Sequence, residues 1–288
     1  MNTTELISAL KIKGSFPSSD DLFSDDDFLV LLNMAMDVEI NPIILRLNDE
    51  YLLQSKDFTI STGTTYRLPT RIISIRDLTL VDGSGNVTKL DRNFEEDRST
   101  NKTGYYLLRN SIELSSDIVD GSLRMKYFAR PSKLVLTTDC GQVSSIDTGT
   151  NSVVISSAPA TFANGTVIDI IQNNNPFDLL SMDQSITTVA GTTLTFASLP
   201  TDLLVGDWIC IANQSPVPLV PQELHTLLVQ AALVESLSSK KDKAFKDANE
   251  KYEMLKNNVI NMLDPRVNNS SVKMRSGRIF NYFTSGRW

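Results

Sequence analysis

Two hydrophobic periods divide this chain. Near both ends the apolar residues recur at helical spacing. From about residue 57 to 215 they alternate in short runs of Val, Ile, Thr and Ser punctuated by Gly, Asn and Pro, the signature of antiparallel β structure. The pattern predicts an α+β fold: a helical bundle formed by N- and C-terminal helices, with a large inserted antiparallel β region shaped as a small barrel or sandwich. With 288 residues, the chain can bury one large core or two smaller ones without staples.

Residues 3–11 predict a short helix with Leu6, Ile7 and Leu10 on one side, broken by Gly14 and Pro17. A second helix starts after Ser24, an N-cap with Asp27 three residues on and Asp25 and Asp26 near the positive end of the helix dipole. Phe28, Leu31, Leu32, Ala35 and Val38 then follow at helical spacing, while Leu29, Val30, Met34 and Met36 spread apolar surface around the remaining sides. Such a helix needs cover from more than one neighbour, and Pro42 should kink or end it. After the stiff Pro-rich connection 215–221, residues 222–263 are helical again. Leu224, Leu227, Leu228, Ala231 and Val234 line the first part; Phe245, Ala248, Tyr252, Leu255, Val259 and Met262 make a heptad stripe in the second. Ser238 to Lys241 interrupts the pattern as a bend, and Asp264-Pro265 ends it. The expected divisions are N-terminal helices 1–56, a β hairpin region 57–132, a β module 133–215, C-terminal helices 216–263 and a tail 264–288.

Within the β region, Leu78–Val81 and Val87–Leu90 flank Asp82-Gly-Ser-Gly-Asn86, where Gly and Asn supply the positive φ of a tight hairpin turn. An internal repeat follows: Ser152–Gln172 lies on Thr193–Asn213 with one offset of 41 residues, matching Val153 to Leu194, Ile155 to Phe196, Pro159 to Pro200, Phe162 to Leu203, Gly165 to Gly206 and Ile170 to Ile211. Each copy reads as strand, Pro-containing turn, strand. Two copies suit a small barrel or sandwich and are too few for a solenoid.

The composition removes several function classes. Lys plus Arg total 27 against 34 Asp plus Glu, a net charge of -7, which argues against a protein that coats nucleic acid over its whole surface. Cys140 and Cys210, far apart in sequence, are expected to form neither a disulfide framework nor a metal pair and to suit a reducing compartment. Neither a secretion signal nor a membrane span is expected, because no long apolar run stands out. The single histidine, His225, sits between Leu224 and Thr226 in a helix and reads as structural. Phosphate-binding glycine loops are absent, which removes kinase, NTPase and dehydrogenase chemistry. Asp20, Asp21, Asp25, Asp26 and Asp27 lack the calcium-loop register and read as helix-dipole partners. Glu95 and Glu96 have no sugar-stacking aromatics nearby. No catalytic residue, metal or cofactor is therefore expected.

The tail is the exception to the acidic balance. Residues 264–288 hold Arg266, Lys273, Arg275, Arg278 and Arg287 against Asp264 alone, a side-chain charge of +4. Among these charges lie Met274, Ile279, Phe280, Tyr282, Phe283 and Trp288. Four aromatics are unusual for a solvated tail, so Met274, Arg275, Arg278, Ile279, Phe280, Tyr282, Phe283, Arg287 and Trp288 are the expected partner-binding residues.

Three stretches give the chain a resemblance to a known family: Leu22-Phe-Ser-Asp-Asp-Asp-Phe-Leu-Val-Leu-Leu32 running into Pro42-Ile-Ile-Leu-Arg46, Tyr66-Arg-Leu-Pro-Thr-Arg71 ahead of Leu78-Thr-Leu-Val-Asp82, and Pro218-Leu-Val-Pro-Gln-Glu-Leu224. Together they resemble the head-tail connector adaptors of tailed bacteriophages. Small adaptors of this class are mainly a helical bundle, and the β insertion of this chain departs from that core. The resemblance implies a virion structural protein without an active site, assembled in the host cytoplasm. It implies a homo-oligomeric ring of twelve copies that joins the portal protein to tail or nozzle proteins around the DNA channel, with non-specific contact to packaged DNA and no membrane. A tail-fibre or receptor-binding protein, whose β module would hold a cell-surface ligand, is the alternative. Symmetry separates the two, because fibres are generally trimeric.

Overall fold

The structure is a computed structural model, and it describes residues 1–16, 23–47, 49–60, 65–69, 71–82, 84–94, 103–115, 121–174, 177–240 and 244–263. The chain is mixed helix and strand, as its two periods predict.

Helices α1 (Thr3–Lys13) and α2 (Asp25–Ala35) both start with a capping box. Ser24 Oγ accepts the Asp27 amide at 3.2 Å while the Asp27 carboxylate accepts the Ser24 amide at 2.8 Å, so two orphan donors are satisfied reciprocally. Pro42 does not end the helical run. Over Met36–Ile40 the helix widens to a π turn, in which the Asn41 amide reaches back to Met36 O, and Pro42 falls in the first turn of α3 (Asn41–Leu47), where its missing N–H is tolerated. The stretch Asp25–Arg46 has a mean hydropathy of 1.7 and is long and apolar enough to cross a membrane, contrary to the expectation of no such stretch. In this fold its Phe28, Leu32, Met36 and Ile40 lie in the interior of the protein.

That interior is organised around α4 (Gln222–Lys240), which is buried nearly all round between Leu224 and Leu237. Leu6 and Leu10 of α1, Leu32 of α2, Ile40 and Ile43 share one core with Leu224, Leu228 and Ala232 of α4 and with Ala248, Tyr252 and Val259 of α5 (Phe245–Leu263). The middle of the α5 stripe engages this core, while Phe245 and Met262 at its two ends stay exposed.

Strands β1 (Leu53–Thr59), β2 (Thr65–Arg67), β3 (Ile72–Val81), β4 (Val87–Lys89), β5 (Tyr105–Leu108), β6 (Ser111–Leu114) and β7 (Ser122–Ala129) form two antiparallel sheets, ordered β1-β7-β3-β4 and β2-β6-β5. The expected hairpin joins β3 to β4, with Val81 opposite Val87 and Gly85 at φ 82°. Leu78, Leu123 and Met125 from the first sheet meet Tyr105, Ile112 and Leu114 from the second. Short strands β8 (Lys133–Leu134) and β15 (Gln214–Ser215) then pair in parallel. They bring the two ends of the intervening segment side by side beneath α2, where Asn33 grips the Leu134 backbone with both ends of its amide, at 2.8 and 3.0 Å.

Between them lies a closed six-stranded barrel: β9 (Gly141–Asp147), β10 (Ser152–Ile155), β11 (Val167–Ile171), β12 (Leu179–Ala190), β13 (Thr193–Phe196) and β14 (Trp208–Ile211), in the order β10-β13-β12-β11-β14-β9. The 41-residue repeat is its symmetry. Val153 pairs with its own repeat mate Leu194, and Asp169 with its mate Cys210, so a pseudo-two-fold axis relates the halves. Equivalent turns close with Phe162 N–H to Pro159 O and Leu203 N–H to Pro200 O, and Gly165 and Gly206 both hold positive φ, at 82° and 100°. The symmetry extends to β9 and β12, which the sequence comparison left out. Gln142 faces Trp208 as Ser185 faces Val167, and Val143 accepts the Gly206 amide as Ile186 accepts that of Gly165. Side chains at matched positions fill the interior: Val153 with Leu194, Ile155 with Phe196, Ile168 with Ile209. The β module is thus a barrel and not a sandwich.

Two outward-facing residues at symmetry-related positions tie this barrel down. Asp169 on β11, fully buried, meets the guanidinium of Arg71, which also contacts Asn213 and donates to Ser132 Oγ at 3.1 Å. Cys210 on β14 is disulfide-bonded to Cys140, with Cα atoms 4.7 Å apart. That bond corrects the expectation of two unrelated thiols: the β9–β14 register carries Cys140 directly opposite Cys210 once the barrel closes.

Candidate assembly surface

Two of the singled-out features, His225 and the aspartates that open α2, are ordinary structure. His225 is buried beside Phe177, its Nδ1 3.0 Å from the Met1 amine and its Nε2 3.3 Å from Val220 O. Asp25, Asp26 and Asp27 occupy the first turn of α2, with Asp25 paired to Lys11. Glu95, Glu96, Asp20, Asp21 and every residue of the 264–288 tail, including Met274, Arg275, Arg278, Ile279, Phe280, Tyr282, Phe283, Arg287 and Trp288, lie outside the described residues.

Burial, with the positive Met1 amine as a second cause, lowers the His225 pKa from 6.5 to about 4. The folded protein therefore holds a neutral ring where the unfolded chain takes a proton. Stability contributed by neutral His225 is complete above pH 6.5 and falls as the pH drops towards 4, by up to about 3 kcal/mol. Urea unfolding at pH 7 and pH 4.5 should show this loss in the natural protein and a smaller one in His225→Gln; equal losses would assign the acid sensitivity to carboxylates.

The candidate site lies on the outer side of α2 and of the π turn that continues it. Val30, Met34 and Val38 stand four residues apart, so each projects from the same face one turn after the last. They remain 57%, 46% and 66% exposed, where the all-round apolar sequence called for cover on every side. Inward-facing Phe28, Leu32 and Ala35 belong to the core that α2 shares with α4, Phe28 packing also on the Phe16 and Phe23 rings. Beside the stripe runs a groove of about 200 Å³, floored by Ala35, Ala231, Val234 and Tyr252.

Its rim is acidic. Glu39, Glu235 and Glu253 line it, and Lys256 lies 3.2 Å from Glu39 and over the Tyr252 ring. The Tyr252 hydroxyl donates to Glu39, and burial together with that carboxylate raises its pKa well above the ordinary tyrosine range. This arrangement offers an apolar ridge edged by carboxylates, the makings of a protein contact.

The family described as SU10 adaptor protein matches residues 1–171, and no curated protein matches. The matched stretch takes in α1 to α3, both sheets and the first half of the barrel, and it contains the α2 stripe and both members of the Arg71–Asp169 pair. The chain belongs to the SU10 adaptor protein family, a family of structural bacteriophage adaptors and not of enzymes.

Proposed function

We propose that this virion protein is a head-tail connector adaptor whose copies form a ring, twelve by the resemblance drawn above, joining the portal to tail or nozzle proteins around the DNA channel. The observation that carries the reading is the exposed apolar stripe Val30, Met34 and Val38 on a helix inside the family match: a ring subunit must leave such a face for its neighbour. The tail then serves as a docking arm. Its apolar residues Met274, Ile279, Phe280, Tyr282, Phe283 and Trp288 bind a neighbouring subunit or the portal, while Arg275, Arg278 and Arg287 meet acidic surface or DNA phosphate. Membrane and cofactor play no part in this role.

Native mass measurement and class averages viewed down the assembly axis test the reading together with truncation after Val267. The expected result is a ring of about twelve copies, with the truncated protein keeping its melting temperature and losing its hold on the portal. A trimer would instead favour a fibre or receptor-binding protein. A truncated protein that still docks, or that melts much lower, would return the tail to ordinary core packing.

A further inference from the structure

A second groove lies on the other side of the α4–α5 pair. It measures about 510 Å³, runs between α1, α4 and α5, and is floored by Leu233, Leu237, Ala248 and Leu255, with Met254 58% exposed at its edge. Its charged lining is Lys13 and Lys251 against Asp247. Burial and the nearby Lys251 both lower the pKa of Lys13, so this ammonium already stands in a partly dry site beside a like charge.

The two faces complement each other. One is an apolar ridge on α2 edged by Glu39, Glu235 and Glu253; the other is a wider apolar trough edged by Lys13 and Lys251. Both border α4 and α5, yet they use different residues of each: Ala231, Val234 and Tyr252 on the acidic side, Leu233, Leu237 and Leu255 on the basic side. One molecule cannot bring them together, because the α4–α5 pair stands between them. We infer that the α2 ridge of one copy seats in the α1/α4/α5 trough of the next, with Glu253 facing Lys13 and Lys251. Contact between unlike patches is heterologous, and repeated it closes into a ring or runs on as a filament. Ridge-into-groove packing is the ordinary way two helical surfaces meet, and the opposed charges fix which surface meets which. This inference rests on the ring reading and names its subunit interface.

Charge reversal tests it on the full-length protein. Glu253→Lys and Lys251→Glu, each alone, set like charges against each other and should weaken self-association by about 10-fold at low salt. Both residues are exposed, so the melting temperature of each variant should match the natural protein. Mixing the two variants places a natural basic trough against a natural acidic ridge, and a reversed trough against a reversed ridge. The mixture should therefore recover assembly, as an oligomer in which the two variants strictly alternate, read by light scattering and native mass. A natural protein that forms rings while both variants assemble unchanged overturns this interface and leaves the ring reading standing. Failure of the mixture to recover also overturns it. A natural protein that stays monomeric at millimolar concentration overturns both.

Discussion

Arg71→Met destabilises the protein by about 3–5 kcal/mol in urea unfolding at neutral pH, because it strands the Asp169 carboxylate in a fully buried site. Asp169 would retain the amides of Asp183 and Asn213, at 3.0 and 2.8 Å, but lose the one cation paired with it among the described residues. Burial already lowers the Arg71 pKa, as expected for a guanidinium taken out of water. The double variant Arg71→Met/Asp169→Asn should recover much of the loss, since neither charge then remains to be paired. Arg71→Lys should not, because one ammonium cannot serve Asp169, Asn213 and Ser132 with the geometry of a planar fork. Were Arg71→Met to fall within about 1 kcal/mol of the natural protein, the two amides alone would suffice for the carboxylate. The pair also joins the start of β3 to the barrel, so removal of residues 136–213 would take Asp169 and Asn213 away from Arg71 and leave it only Ser132 of these three partners.

Reduction of Cys140–Cys210, or Cys140→Ser, should lower stability by about 4 kcal/mol on the chain-entropy account of a loop closed across a separation of 70 residues. The bond sits where the barrel is thinnest. β9 and β14 share only the pairs Trp208 with Gln142 and Ile209 with Gly141, so the disulfide reinforces the seam at which the sheet closes on itself. Urea midpoints with and without a phosphine reductant measure the effect, and coincident curves would show that the barrel closes without it. At the symmetry-related position the same closure is made by a carboxylate, Asp169 accepting the Asp183 amide. The two halves thus share a backbone design and differ in what holds it.

Local features were legible because they are local. The Ser24–Asp27 capping box, the turn at Gly85 and the matched glycines 165 and 206 depend on residues within a few positions of one another, and each is present. The 41-residue offset was legible for the same reason, since two copies of one short pattern fold alike. The candidate site was only half visible. Apolar residues all round α2 predicted more covering neighbours than the described residues supply, so the excess surfaced as the stripe Val30, Met34 and Val38.

The amino-acid sequence by itself determined the α+β division, the helix starts, the internal symmetry and the family; the tertiary structure alone decided who stands opposite whom. Cys140 could not be paired with Cys210, nor Arg71 with Asp169, before the barrel register was known, because strand pairing between distant segments is selected by closure of the whole sheet. The acidic ridge and basic trough, likewise, take residues from helices some 200 positions apart in the chain, and their opposition exists only once α1 and α2 have packed against α4 on either side of α5.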